Sequence, residues 1–144
     1  HAAHKACTQN ICTPCLVGDG FAIKKACEAL GLPPEGWYIH YSPQESDISH
    51  YIAELTSCGM NEQVAEFLLN HPLYYSAMLL KVGIVSAMVA GYISESGEVI
   101  NAAGMIVGLE DDISAPSSYF LFEIPGYEGP QGNMLVYADC GLKI

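Results

Sequence analysis

The sequence predicts an α/β protein in which a mostly parallel sheet lies between helices. Two patterns carry that expectation. Short apolar segments alternate along the chain with stretches of helical periodicity, the order that builds a parallel sheet with helices on its faces. The run Ile84-Val85-Ser86-Ala87-Met88-Val89-Ala90 reads as a strand apolar on both sides, as in the middle of such a sheet.

The elements follow in order. Residues 2–11 read as a helix and residues 15–17 as a short buried strand. A helix over 21–30 is stopped by Gly31 and Pro33-Pro34. Residues 37–41 alternate enough for a strand. Ser46-Asp47 suits the cap of a helix over 48–57, and Asn61 that of a helix over 62–70, which His71-Pro72 ends. Residues 74–82 form a helix with Tyr74 and Tyr75 on a buried face, and 84–90 the central strand. Val99, Ile100, Ala103, Ile106 and Val107 recur at helical spacing, with Glu98 in the first turn. The acidic Glu110-Asp111-Asp112 marks a crossing to a second domain. There, strands over 119–124 and 134–138 are joined by a Pro- and Gly-rich turn as an antiparallel hairpin. The expected domains are residues 1–110 and 111–144.

The junction after Ala90 is the chemically informative one. A small-residue loop opening a helix presents free backbone N–H groups and the positive end of a helix dipole. Gly91 and Gly97 let the backbone approach a ligand closely, and Ser94 and Ser96 add hydroxyl donors. Phosphate or a phosphoanhydride is the guest that chemistry suits. The plain alternative is a turn capped by Ser96 with no ligand.

Composition excludes other classes. The chain has 144 residues, a formal net charge of −11, and five Lys+Arg against sixteen Asp+Glu, none of the five being arginine. Nucleic acid is a poor partner for such a surface, because neutralising its phosphates takes clustered Lys and Arg. No apolar run reaches the roughly 18 residues of a membrane-spanning helix, and the start carries no basic-plus-apolar signal. The expectation is a soluble, cytoplasmic protein without membrane or nucleic-acid partners. The six cysteines, in an α/β pattern of this size, are expected to stay reduced. Cys12-Thr13-Pro14-Cys15 precedes its strand, whereas a thioredoxin-like pair follows one and opens a helix. A lone CxxC is a weak zinc site. His40, His50 and His71 show no metal-ligand spacing, so no metal is expected.

A resemblance spans nearly the whole chain. Leu16-Val17-Gly18-Asp19, Ala26-Cys27-Glu28-Ala29-Leu30-Gly31-Leu32 and Gly59-Met60-Asn61-Glu62-Gln63-Val64-Ala65 occur in order. Pro72-Leu73-Tyr74-Tyr75-Ser76-Ala77-Met78-Leu79-Leu80-Lys81-Val82-Gly83, Met88-Val89-Ala90-Gly91, Ser117-Ser118-Tyr119-Phe120-Leu121-Phe122 and Tyr137-Ala138-Asp139-Cys140 follow. In these pieces the chain resembles the N-terminal part of the phosphate acetyl/butyryltransferase (phosphotransacylase) family.

The resemblance implies a three-layer αβα fold like that of isocitrate and isopropylmalate dehydrogenases, here incomplete. It implies transfer of an acyl group between coenzyme A and inorganic phosphate, with coenzyme A as substrate, no tightly bound cofactor, and a homo-oligomer. Phosphate or coenzyme A would meet Gly91, Ser94, Ser96, Asn101, Ser117 and Ser118. Asp139 is a weak candidate for a catalytic carboxylate, the main catalytic groups being expected beyond this chain, which alone is expected to be inactive. One departure stands out. Where the family commonly has an arginine followed by proline, this chain reads Asn101-Ala102, and Asn supplies neither the charge nor the fork. Anion binding would then rest on amides, hydroxyls and Lys81. The alternative is a divergent or non-catalytic homologue, such as the acyl-phosphate-forming subunit of a glycine/betaine reductase-type complex.

Overall fold

The computed structural model describes residues 1–43 and 48–138. The elements are α1 (Ala2–Thr8), β1 (Cys15–Val17), α2 (Gly20–Ala29), β2 (Ile39–Tyr41), α3 (Ser49–Ser57), α4 (Glu62–Leu69), α5 (Pro72–Lys81), α6 (Ser96–Ala102), β3 (Tyr119–Glu123) and β4 (Met134–Ala138). The chain divides into two compact units, His1–Val107 and Gly108–Ile144.

In the first unit β1 and β2 pair in parallel, with Leu16 opposite His40, and α2 makes the connection between them. Asp19 caps α2 by accepting the Ala22 N–H at 2.6 Å. The expected strand over 37–41 is shorter than its alternation suggests. Trp37 Nε1 donates to the Pro33 carbonyl and the Tyr38 hydroxyl to that of Pro34, at 2.7 and 2.8 Å. These bonds hold the segment in a local loop until Ile39 reaches β1.

The core is helical. Helix α5 starts on Pro72, a residue suited to the first helical position because its missing N–H would be an orphan there. It buries Leu73, Tyr75, Ala77, Met78 and Leu79. Tyr51 and Leu55 of α3, Ala65 and Leu69 of α4, and Ile106 close around it, with Val17 and Tyr41 of the sheet packed against the cluster. Asn61 caps α4 as its sequence predicts, accepting from Gln63 and Val64 N–H at 2.9 and 3.3 Å. Tyr75 is buried, whereas Tyr74 is half-buried. The expected Ser46-Asp47 cap of α3 lies outside the described residues.

The central strand over 84–90 does not form. Ile84 and Val85 N–H both donate to the Leu79 carbonyl, at 3.0 and 3.3 Å, after Gly83 turns the chain at φ +75°. Ile84 and Val85 therefore complete the end of α5. Val85 and Met88 reach the core, but Val89 is fully exposed. Apolar content alone does not make a strand, and among the described residues no neighbouring strand offers a hydrogen-bond ladder here. Among the described residues the first unit thus carries a two-stranded parallel sheet and six helices.

In the second unit β3 and β4 form the expected antiparallel hairpin, with Leu121 opposite Val136 and Phe122 opposite Leu135. Gly129 and Gly132 exchange N–H···O=C bonds at 2.8 and 3.0 Å in the connecting turn. Every residue of β3 is exposed.

Candidate functional site

The segment between α5 and α6 is unusual in what it leaves unbonded. From residue 86 to residue 97, no backbone N–H donates to any protein group among the described residues. The next donors are Glu98 and Val99, both to the Glu95 carbonyl, at 3.0 and 3.2 Å. Glu95, not Ser96, holds the capping position of α6, and no side chain caps that end. The plain reading of Ser96 as a cap is thereby corrected. Ser96 is the first helical residue, and its amide and that of Gly97 are left open.

Gly91 adopts φ +107°, a conformation that strains any side-chain-bearing residue, and nothing lies within 4 Å of where its Cβ would be. Ser94 is half-buried, while Gly91 and Ser96 are exposed. Among the described residues, neither the amides of this loop nor the Ser94 and Ser96 hydroxyls have a protein hydrogen-bond partner, which leaves them available to an oxyanion.

Helix α6 runs on without a break into a π-helical turn, Ala103–Val107. Ala102 and Ile106 are fully buried and seat this helix on α5. Asn101 lies on the exposed face, and its side chain has no hydrogen-bond partner among the described residues. Sequence reasoning placed Lys81 as a possible anion partner, but its ammonium is half-buried and donates to the Ile106 carbonyl at 2.9 Å. That contact spans 25 positions, so no local pattern announces it.

Gly91, Ser94, Ser96 and Asn101 thus share one loop and helix in the first unit. Ser117 and Ser118 belong to the second, just before β3, the former exposed and the latter half-buried and bonded. Asp139 lies outside the described residues.

A concavity of about 320 Å³ lies beside β2 and the start of α2 and is lined by Gly20, Lys24, Glu35, Gly36, Tyr38 and His40. It is furnished against phosphate. The Asp19 carboxylate already occupies the start of α2. Lys24 is held by Glu35 at 2.6 Å, and that ion pair, through a hydrogen bond first and charge second, lowers the Glu35 carboxyl below its ordinary range. His40 Nε2 lies 2.7 Å from the Gly18 carbonyl, with its ring over Gly20.

Cys12 is exposed and Cys15 half-buried at the start of β1, both as free thiols. No group of three His, Cys, Asp or Glu among the described residues could hold a metal ion, and no described helix is long and apolar enough to cross a membrane.

Comparison with solved structures defines the class. The fold is shared with a phosphotransacetylase from Streptococcus pyogenes, at TM-score 0.82 and 22% identity, over 99% of this chain and 43% of that one. A phosphotransacetylase from Staphylococcus aureus aligns at TM-score 0.74 and 22% identity, over 96% and 42%. This is the α/β class to which phosphotransacetylases belong.

The chain belongs to the phosphate acetyl/butaryl transferase family, whose model matches residues 1–144. The phosphate acetyltransferase of Acetivibrio thermocellus is 30% identical over 98% of this chain and 43% of its own length. That of Clostridium acetobutylicum is 26% identical over 99% and 44%. The chain thus spans less than half the length of these relatives.

Proposed function

We propose that the chain supplies the phosphate-holding part of an acyltransferase that moves an acyl group between coenzyme A and inorganic phosphate. The observation that carries this is the run of unbonded amides over 86–97, with Gly91, Ser94 and Ser96 at its centre, in a member of a transferase family. In the reaction a coenzyme A thiolate attacks the carbonyl carbon of the acyl phosphate. The C–O bond to phosphate then breaks and phosphate leaves as the oxyanion. No bond to the enzyme is required, so holding the phosphate and the carbonyl in register is the main task. Amides and hydroxyls fixed around the phosphate oxygens would stabilise the charge that grows on the leaving group.

Asn101, on the exposed face of α6, is proposed to add a neutral donor where the family resemblance implies a cation, and Ser117 and Ser118 are proposed as further ligands. The finer readings proposed with this function are the three-layer dehydrogenase-like fold, residues 1–110 and 111–144 as two domains, coenzyme A as substrate without a resident cofactor, a homo-oligomer and a cytoplasmic location. The second reading, a divergent homologue in an acyl-phosphate-forming complex, is favoured by Asn101 and the lack of any arginine.

Soaking crystals in phosphate or sulfate tests the reading. Anion density against Gly91, Ser94 and Ser96 is expected. Density confined to other places, with this loop empty at saturating anion, would overturn it.

A further inference from the structure

Lys81 is one of five cations in a chain with a net charge of −11, and it is spent in an uncommon way. Its ammonium stands at no carboxylate among the described residues and donates to the main-chain carbonyl of Ile106. That carbonyl lies in the last turn of the continuous helix formed by α6 and its π-helical extension, where carbonyls have no intrahelical donor and carry partial negative charge. A π-helical turn departs from the α-helical bonding pattern and is frequently found at functional sites. The other end of the same helix is the loop at 91–97, whose backbone N–H groups donate to no protein group among the described residues. The position of that loop therefore depends on how the helix is seated. Ala102 and Ile106 fix it sideways against α5, and the bond from Lys81 fixes it along its axis.

We infer that Lys81 is a positioning residue for the phosphate loop: its ammonium, by gripping the Ile106 carbonyl, sets where the amides of Gly91, Ser94 and Ser96 stand. This rests on the proposed phosphate role of the loop. Lys81 is given no contact with the substrate. Its effect passes through the helix, so a planar guanidinium with the same charge can replace it in part, and an apolar side chain of similar length cannot.

The test compares Lys81→Met and Lys81→Arg with the unaltered chain, following backbone amide resonances during titration with inorganic phosphate. In Lys81→Met the resonances of 91–97 should shift before any phosphate is added. Phosphate affinity should fall by about tenfold, the scale of one charge-assisted hydrogen bond. In Lys81→Arg both should return towards the original. A residue that merely stabilised the fold would lower the denaturation midpoint and leave the phosphate affinity of the folded fraction unchanged. That result, or unshifted 91–97 resonances in Lys81→Met, overturns the inference. If the unaltered chain shows no response to phosphate at 91–97, the phosphate reading of the loop falls. The phosphate-free shifts of Lys81→Met then still decide whether Lys81 positions the loop.

Discussion

Helix α5 and strand β3 are both rich in large apolar side chains and end in opposite states. Tyr75, Met78 and Leu79 of α5 are at most 1% exposed, whereas Tyr119, Phe120, Leu121 and Phe122 of β3 are between 46% and 69% exposed. The helix is enclosed by α3, α4 and the turn carrying Ile106. In the hairpin Phe120 meets Phe122 and Phe122 meets Tyr137 at centroid distances of 6.0 and 5.5 Å. Together with Ile124, these three rings line an open apolar trough of about 400 Å³. Two strands alone are marginal in water, and a large exposed apolar surface is characteristic of an interface. Local sequence decides whether a segment becomes helix or strand. Neighbours decide whether its apolar side chains are buried.

The sharpest way to break this contrast is to truncate one residue in each region. Leu69→Ala in the closed helical core should cost about 2–5 kcal/mol, since its surroundings are close-packed. Phe120→Ala in the hairpin should cost under about 1 kcal/mol, as for other exposed positions. Urea denaturation of the two variants measures both, and equal costs would mean that the hairpin is buried in solution.

Within the first unit, the capped and uncapped helix starts can be set against each other. Asn61→Ala should destabilise by about 1 kcal/mol, because two N–H groups lose their acceptor. Ser96→Ala should leave thermal stability unchanged, because Ser96 caps nothing. A matching loss in both variants would return Ser96 to a capping role.

At the loop proposed to hold phosphate the expected change is in affinity. Asn101→Arg should tighten phosphate binding by about 1 kcal/mol, a charge-assisted pair replacing a neutral one. Calorimetry showing the same affinity as the original would mean that this helix face meets no ligand.

The smallest expected effect is confined to alkaline pH. Burial, with Tyr75, Tyr41 and Glu54 adding in that order, raises the Tyr51 phenol above its usual 10.0. The folded state therefore keeps this proton longer than the unfolded one. The resulting stability is complete below pH 10 and declines as the pH climbs through the folded value. Tyr51→Phe should flatten that decline in pH-dependent melting curves, and an unaltered slope would remove Tyr51 as its source.

Much of the fold was legible because its signals are local. Gly31 and Pro33-Pro34 after α2, Asn61 before α4, His71-Pro72 after α4 and the turn-rich stretch before β4 each act within a few residues. The small-residue loop before α6 was legible for the same reason, as small residues opening a helical pattern. The run from Ile84 to Ala90 misled because a buried strand and an apolar stretch that follows a helix share a composition. Only a neighbouring ladder separates them.

The sequence by itself determined the element types at most positions, the family and the loop composition, because caps, glycines and periodicity work through backbone bonds between near neighbours. Tertiary structure alone decided that Ile84 and Val85 close α5 and that 84–90 forms no strand. It also gave Glu95 the capping position of α6 and sent the Lys81 ammonium to a carbonyl 25 positions away. Each of those outcomes depends on which hydrogen-bonding groups from distant parts of the chain are brought within reach. No one-dimensional pattern specifies that.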